Sequence, residues 1–219
     1  GLETAGCAFY LGEKSLYDSA RIGVTVAGYP ASLPAGLQGP TSPGASLPGG
    51  LSPVYAIGEG WIPLLDPVLV RLRLPDSIGG QAGLQADRGR IVMVCFHGAG
   101  KIVGRPQWQG NWASARFREF GDFQLVWDTV APVIVPLGPL DGANLSRATR
   151  IALRVTDDLG ALRGFRAELD GKWLCFTNDK YLAYIYRFDA HCPRGPHVLK
   201  VSVEDMAGNR REAQFHFYR

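Results

Sequence analysis

Short runs in which apolar and polar residues alternate dominate this chain, and their period of two is typical of half-buried β-strands. No window of about a dozen residues carries the apolar stripe of an amphipathic helix. In the first half the strand-like runs are Cys7–Leu11, Arg21–Ala27, Val68–Leu74, Arg90–Phe96, Trp112–Phe117 and Phe123–Trp127. Turn-forming residues separate these runs at the spacing of a sandwich or barrel. The same pattern predicts that Trp127, which follows Leu125 and Val126, lies in the core.

A proline-rich segment in mid-chain, WDTVAPVIVPLGP, predicts a domain boundary. Pro132 and Pro136 lack the N–H that a central strand donates, so this segment fits an edge strand at most. Further strand-like runs follow at Val133–Val135, Ile151–Thr156, Gly164–Leu169, Lys172–Thr177, Tyr181–Phe188, His197–Val203 and Gln214–Tyr218. Asp170 and Gly171 suit a two-residue hairpin turn, as do Asn178 and Asp179.

These patterns predict an all-β fold with two β-sandwich domains. The first domain covers residues 1–131 and carries an insertion at 29–53 that is rich in proline, glycine and serine, which we interpret as a surface excursion. The second domain, residues 132–219, has about seven predicted strands, the number found in an immunoglobulin-like or fibronectin-like sandwich.

Charge and composition exclude several classes of function. The net charge is only +3, with basic and acidic residues interspersed, so nucleic acid is not an expected partner. No apolar run approaches the roughly 20 residues of a membrane span. The four cysteines, Cys7, Cys95, Cys175 and Cys192, are too irregularly spaced for a disulfide scaffold. A bridge between Cys7 and Cys95 and buried free thiols both remain open.

Catalytic motifs are missing from the sequence. The four histidines, His97, His191, His197 and His216, have neither HxH nor HExxH spacing, and no GxSxG elbow occurs. The stretch GAGKIVG lacks the spacing of a phosphate loop and predicts a hairpin turn instead. Cys192 stands between His191 and His197, but the prolines in that segment favour a tight loop over a metal clip. We therefore predict that this chain is not an enzyme and has no zinc site.

An aromatic and amide-rich stretch, PQWQGNWAS, is the candidate ligand-binding site. Trp108 and Trp112 lie close together beside Gln107 and Asn111. Indole rings stack on sugar rings, and amides hydrogen-bond to hydroxyl groups, so this patch would suit a polar ligand such as a glycan. The alternative is that one or both indoles fill the core.

Two acidic segments form a candidate calcium site. Asp157 and Asp158 follow one predicted strand, and Asp205 and Asn209 stand in the turn EDMAGN. An immunoglobulin-like strand order would place both loops at one end of the sandwich, where their oxygens could hold Ca²⁺. The turn has a metal-free explanation as well, because Gly208 and Asn209 tolerate a positive φ and Asp205 can bond to its own backbone.

Four long stretches follow one another in the chain: LSPVYAIGEGWIPLLDPVLVRLRLP, FGDFQLVWDTVAPVIVPL, IALRVTDDLGALRGFRAELDGKW and HVLKVSVEDMAGNRREAQFHFYR. In this order they resemble the region after the catalytic domain of lysostaphin-type zinc metallopeptidases, the envelope-associated peptidoglycan hydrolases of Gram-negative bacteria. The stretch KSLYDSARIGV fits the same pattern, so the resemblance covers most of residues 5–219.

The resemblance implies a non-catalytic accessory region, because the family's HxxxD and HxH zinc ligands do not occur here. Any peptidase domain would lie before Gly1. The implied role is to bind peptidoglycan or the neighbouring catalytic domain, in the periplasm or at the cell surface. A rigid spacer around Ala131–Pro139, or a general carbohydrate- or protein-binding module of the envelope, is the alternative.

Overall fold

The chain folds into two compact β units. The computed structural model describes residues 1–28, 47–79, 87–97, 100–179 and 183–219. The units comprise Gly1–Thr129 and Val130–Arg219. Each unit is a sandwich of two sheets, so the predicted all-β fold with two β-sandwich domains is confirmed.

The first unit contains ten strands within its described residues. These are β1 Leu2–Glu3, β2 Cys7–Tyr10, β3 Val24–Gly28, β4 Val54–Ile57, β5 Val68–Arg73, β6 Ile91–His97, β7 Gly100–Gly104, β8 Gln107–Gln109, β9 Trp112–Phe117 and β10 Gly121–Trp127. They form two antiparallel sheets, ordered β1-β2-β5-β9-β8 and β3-β4-β10-β6-β7. The helices are short, α1 at Asp76–Gly79 and a 3-10 turn at Arg88–Arg90. Among the described residues no helix has the length and apolar character needed to cross a membrane.

Alternation along β5 forms one wall of the first core. Val68, Val70 and Leu72 are fully buried, whereas the residues between them are only partly buried. Each buried aliphatic side chain stabilises the fold by about 1.5–3 kcal/mol. Arg71, and Arg73 at the end of β5, therefore lie on the outer face of the same sheet, which positions the candidate site described below.

The end of the predicted insertion at 29–53 runs alongside β10, because Leu51 N–H donates a hydrogen bond to Leu125 O at 2.8 Å. Gln124 is fully buried; its Oε1 accepts a hydrogen bond from Leu47 N–H (2.9 Å), and its Nε2 donates one to Ser52 O (3.0 Å). Leu51 is buried as well. This end of the insertion is therefore part of the folded unit, while residues 29–46 lie outside the described ranges.

The second unit is an immunoglobulin-like sandwich with nine strands in its described part. They are β11 Val133–Pro136, β12 Ala143–Asn144, β13 Arg150–Thr156, β14 Leu162–Leu169, β15 Lys172–Leu174, β16 Thr177–Asn178, β17 Ala183–Arg187, β18 Pro196–Asp205 and β19 Arg210–Tyr218. The sheets are ordered β11-β13-β17-β16 and β12-β19-β18-β14-β15. Apolar residues of both inner faces form one core.

Three of these strands depart from the sequence prediction. The predicted run Lys172–Thr177 is divided into β15, which pairs with β14, and β16, which pairs with β17 in the opposite sheet. More exposed and more buried side chains keep alternating from Trp173 to Thr177. The sequence therefore gives no sign that the chain passes from one sheet to the other here. The two-residue β12 pairs in parallel with β19 and is too short for a periodic signal.

The prediction that Trp127 lies in the core is wrong. Its side chain is 38% exposed, whereas that of Val126 is 1% exposed. Gly50 bridges Val126, and Trp127 N–H donates a hydrogen bond to Gly49 O at 2.9 Å, so the backbone of Trp127 is still paired while its indole is partly exposed. Trp127 ends β10, and apolar flanking residues in a sequence do not reveal where a core stops.

All four cysteines are free thiols in the structure: Cys175 is exposed, and Cys7, Cys95 and Cys192 are buried. Burial raises the pKa of Cys7 and of Cys95 to about 12, so neither forms a reactive thiolate at neutral pH. We expect one equivalent of Ellman's reagent to react quickly with the native chain and four to react in denaturant. Cys175→Ser should abolish the fast reaction. Two thiols in denaturant would contradict the structure and indicate a disulfide.

Candidate functional site

The β8–β9 hairpin separates the two tryptophans of the predicted patch. Gly110 and Asn111 form its two-residue turn, in which Gly110 takes a φ of 58°. In this register Trp108 pairs with Ala113, and Gln109 pairs with Trp112. Since neighbouring positions of a strand point to opposite faces, the two indoles cannot form one stacking surface. Trp108 packs against the core, as the alternative interpretation predicted for one or both rings.

Trp112 lies on the outer face of its sheet among polar side chains. The Arg71 guanidinium stands 5.2 Å from the centre of the Trp112 ring, and its Nη2 donates a hydrogen bond to Gln109 Oε1 at 3.3 Å. Gln107 and Ser114 pair across the hairpin on the same face. We call this surface, made of Arg71, Gln107, Gln109, Trp112, Ser114 and Arg116, the arginine face.

Asn111 stabilises the hairpin turn and does not belong to the arginine face. Its Oδ1 accepts a hydrogen bond from Arg88 Nη2 at 2.9 Å, and its Nδ2 donates to Asp76 Oδ1 at 3.0 Å. Arg88 also donates to Gly110 O at 2.7 Å and stands 4.8 Å from the centre of the Trp108 ring. Of the predicted ligand-binding residues, Gln107 and Trp112 therefore share a face, while Trp108 and Asn111 have structural contacts elsewhere.

Arg71 and Arg116 are missing from the sequence prediction of this site. The signal for Arg71 was present in VLVRLRL, because a charged residue that alternates with buried aliphatic residues must lie on the opposite face. The pairing of β5 with β9, which brings Arg71 opposite Ser114 and Leu69 opposite Arg116, is a contact between distant segments. A local pattern does not reveal it.

The two acidic loops lie at the same end of the second sandwich. Met206 N–H donates a hydrogen bond to Ala161 O at 3.2 Å, which ties one loop to the other. Carboxylate oxygens of Asp157 and Asp158 lie within 4.8 Å of one another. The pKa of Asp157 is raised, first by burial and then by the negative charges of Asp158 and Asp205. Asp157 thus lies close enough to both other carboxylates to be repelled by them.

Asp205 and Asn209 are joined by two hydrogen bonds. The Asp205 carboxylate accepts hydrogen bonds from Asn209 N–H and from Asn209 Nδ2, both at 2.8 Å, and both residues are buried. Gly208 completes the turn with a φ of 87°. Asp157 differs, because its buried Oδ1 has no hydrogen-bond partner among the described residues. The turn therefore closes through protein hydrogen bonds, and calcium binding at Asp157, Asp158, Asp205 and Asn209 stays a prediction.

His197 is held by hydrogen bonds that occupy both of its ring nitrogens. Nδ1 lies 2.7 Å from Asp170 Oδ2, and Nε2 lies 2.7 Å from Pro193 O. Neither nitrogen is then open to a metal ion, so the structure favours the tight loop over a clip with His191 and Cys192.

No protein-family model matches the chain, and no curated protein matches it significantly. Among solved structures, the chain is similar to an endo-β-1,4-mannanase from Thermotoga petrophila, with 14% identity and a TM-score of 0.36 over 42% of this chain and 20% of that one. It is also similar to fibronectin(III)-like modules of Clostridium thermocellum CbhA, with 12% identity and a TM-score of 0.33 over 58% of this chain and 76% of that one. Likenesses at this level do not bear on function.

Proposed function

We propose that this chain is a non-catalytic binding module of the bacterial cell envelope, and that its arginine face holds peptidoglycan by the carboxylates of the stem peptides. The resemblance to the accessory region of lysostaphin-type metallopeptidases supports this role and a periplasmic or cell-surface location. The observation that carries the proposal is the arrangement of Arg71 over Trp112.

The chemistry of Arg71 suits an anionic polymer. A guanidinium has five N–H donors in a fixed plane, and one of them is used by Gln109. No carboxylate pairs with Arg71 among the described residues, so donors remain for a bidentate bond to a ligand carboxylate. Stacking on Trp112 holds the guanidinium in place, which reduces the entropy lost on binding.

The surrounding residues extend the same surface. Gln107 and Gln109 are exposed and offer amide donors and acceptors at one edge of the sheet. Arg116, also exposed, is on the same face two residues after Ser114. The arginines and amides of this face, beside the Trp112 ring, fit a polymer that carries both carboxylates and hydroxyl groups.

Sedimentation with insoluble peptidoglycan tests this proposal. We expect the chain to sediment, and we expect Arg71→Gln combined with Arg116→Gln to lower the bound fraction at least about 10-fold, because two charge-assisted contacts are lost. The matched control is Arg154→Gln combined with Arg187→Gln, which removes two exposed arginines from the second unit. Binding of the unaltered chain to peptidoglycan should also weaken as the salt concentration is raised.

Three outcomes would contradict the proposal. A chain that stays in the supernatant at low salt would favour the rigid spacer, since a spacer needs no affinity for the wall. Equal losses in both double variants would show a general charge effect without a role for the arginine face. Release of soluble fragments from peptidoglycan by the purified chain would contradict the non-catalytic assignment.

A further inference from the structure

A groove on the first unit combines two exposed aromatic rings with charged side chains. Its volume is about 420 Å³, and its lining includes Tyr17, Asp18, Arg21, Glu59, Trp61 and Ile62. Trp61 is 79% exposed and Tyr17 is 68% exposed, the two largest exposed fractions among the large hydrophobic side chains of the described residues. We call this surface the Tyr17–Trp61 groove. None of its residues belongs to the arginine face.

Backbone contacts fix both loops that form the groove. Leu16 and Leu64 form an antiparallel bridge, and Leu65 N–H donates a hydrogen bond to Ser15 O at 2.9 Å. Ser15 is fully buried, and its Oγ accepts a hydrogen bond from Gly12 N–H at 2.8 Å. The position of Tyr17 next to Leu16 is therefore set by the fold.

Backbone hydrogen bonds also hold the loop that carries Trp61. The next residue, Ile62, is buried in the core, and its N–H donates a hydrogen bond to Glu59 O at 2.9 Å. Gly58 N–H donates to Gly23 O at 3.1 Å, which holds the start of this loop. Two large aromatic side chains are thus presented to solvent from anchored backbone. Two exposed aromatic rings that line one groove make this surface a candidate binding site.

The polar residues of the groove specify the ligand. Asp18 and Glu59 offer carboxylate acceptors, and Arg21 offers donors, all on exposed side chains. A pyranose ring presents C–H groups that pack against aromatic faces, and its hydroxyl groups both donate and accept hydrogen bonds. The mixture of acceptors and donors beside two aromatic rings matches this chemistry, whereas a docking surface for an apolar protein would carry fewer charges.

We propose that the Tyr17–Trp61 groove binds the pyranose rings of an oligosaccharide, at a site separate from the arginine face. Trp61 and Tyr17 stack on the sugar, and Asp18, Glu59 and Arg21 bond to its hydroxyl groups. Only the choice of probe rests on the proposed function, because the glycan strand of peptidoglycan is built from N-acetylated amino sugars.

Titration with chitotriose, the trimer of N-acetylglucosamine, tests the site. The readout is the indole N–H signals of the five tryptophans in a ¹⁵N-labelled full-length chain. We expect the Trp61 signal to shift in a saturable manner while the Trp173 signal stays in place. Trp61→Ala and Tyr17→Ala should each weaken binding at least about 10-fold, the usual effect of removing an aromatic anchor. Calorimetric titration measures these affinities, because Trp61→Ala removes the reporting signal.

Matched controls separate this site from the arginine face. Trp173→Ala removes another exposed indole, 62% exposed, and should leave chitotriose binding unchanged. Arg71→Gln with Arg116→Gln should leave it unchanged as well, even if that variant no longer sediments with peptidoglycan. Trp61→Phe, which retains an aromatic ring, should recover part of the affinity and excludes misfolding as the cause of the loss.

Further outcomes decide the proposal. Binding of cellotriose with similar affinity would support it and show that the acetamido group is not read. No movement of the Trp61 signal with either sugar, or equal shifts at Trp61 and Trp173, would overturn it. If the chain sediments with peptidoglycan but binds no soluble sugar, the proposal for the arginine face still holds and the proposal for the groove is wrong.

Discussion

Replacing Asp205 with alanine is expected to lower the free energy of unfolding of the second sandwich by about 3 kcal/mol. The carboxylate is fully buried and accepts hydrogen bonds from the N–H and the Nδ2 of Asn209, both at 2.8 Å. In the alanine variant both of these hydrogen bonds to the carboxylate are lost in a place closed to water. Each hydrogen bond to a charged group contributes about 1.5–3 kcal/mol, and the smaller charge repulsion on Asp157 offsets part of this loss.

Urea unfolding of the full chain labelled with fluorotryptophan measures the effect. Trp173 is the single tryptophan in residues 130–219, so its ¹⁹F signal reports on the second sandwich separately. The control is Glu212→Ala, which removes an exposed ion pair with Arg210 (2.8 Å) and should change stability by less than about 1 kcal/mol. An Asp205→Ala variant with the same urea midpoint as the control would contradict the assigned role of this turn.

The second large effect is expected for Asp170→Asn, which should lower the stability of the same sandwich by about 2 kcal/mol at pH 7. Asp170 Oδ1 accepts a hydrogen bond from Val198 N–H at 2.8 Å, and Oδ2 pairs with the buried His197. The residue has a φ of 51° in the β14–β15 turn, a conformation that asparagine tolerates well. The substitution therefore removes the charge without straining the turn.

The effect of Asp170 depends on pH in a defined direction. Burial alone would raise the pKa of Asp170, but the hydrogen bonds from Val198 and His197, together with the His197 charge, lower it below its usual value. A group with a lowered folded-state pKa contributes its stability above its unfolded pKa of about 4 and loses it as the pH falls through the folded value. The difference in free energy of unfolding between the wild type and Asp170→Asn should therefore shrink below pH 4.

Urea midpoints from pH 3 to pH 7, read from the Trp173 signal, test this expectation. Asp141→Asn serves as the control, because its exposed carboxylate accepts a backbone hydrogen bond from His216 N–H at 2.8 Å without a buried imidazole partner. We expect a smaller loss for this variant. If the urea midpoints of the wild type and Asp170→Asn differ by the same amount down to pH 3, the Asp170 charge does not have this role.

Much of the local structure follows from short-range sequence signals. The Asp170–Gly171 pair predicts a hairpin turn, and both residues have a positive φ in the structure. The alternation of Val68, Val70 and Leu72 predicts the inward face of β5, and all three side chains are fully buried. These features depend on residues a few positions apart, so their signals survive without knowledge of the fold.

The candidate sites were less accessible to sequence reasoning. Trp108 and Trp112 are close in the chain, but a two-residue turn places them on opposite faces of one sheet. Tyr17 and Trp61 are distant in the chain, yet they line one groove because Leu16 pairs with Leu64. Proximity along the sequence therefore suggested one surface for two rings that lie on opposite faces, and it gave no sign of the groove that Tyr17 and Trp61 share.

The sequence alone established an all-β chain of two sandwiches, because hydrophobic alternation and turn chemistry act between neighbouring residues. It also predicted, from immunoglobulin-like strand order, that the two acidic loops lie at one end of the second sandwich. Long-range strand pairing determined which side chains share a face, since register is a property of two segments that the chain brings together. For this reason the arginine face and the Tyr17–Trp61 groove emerged only once the sheets were assembled.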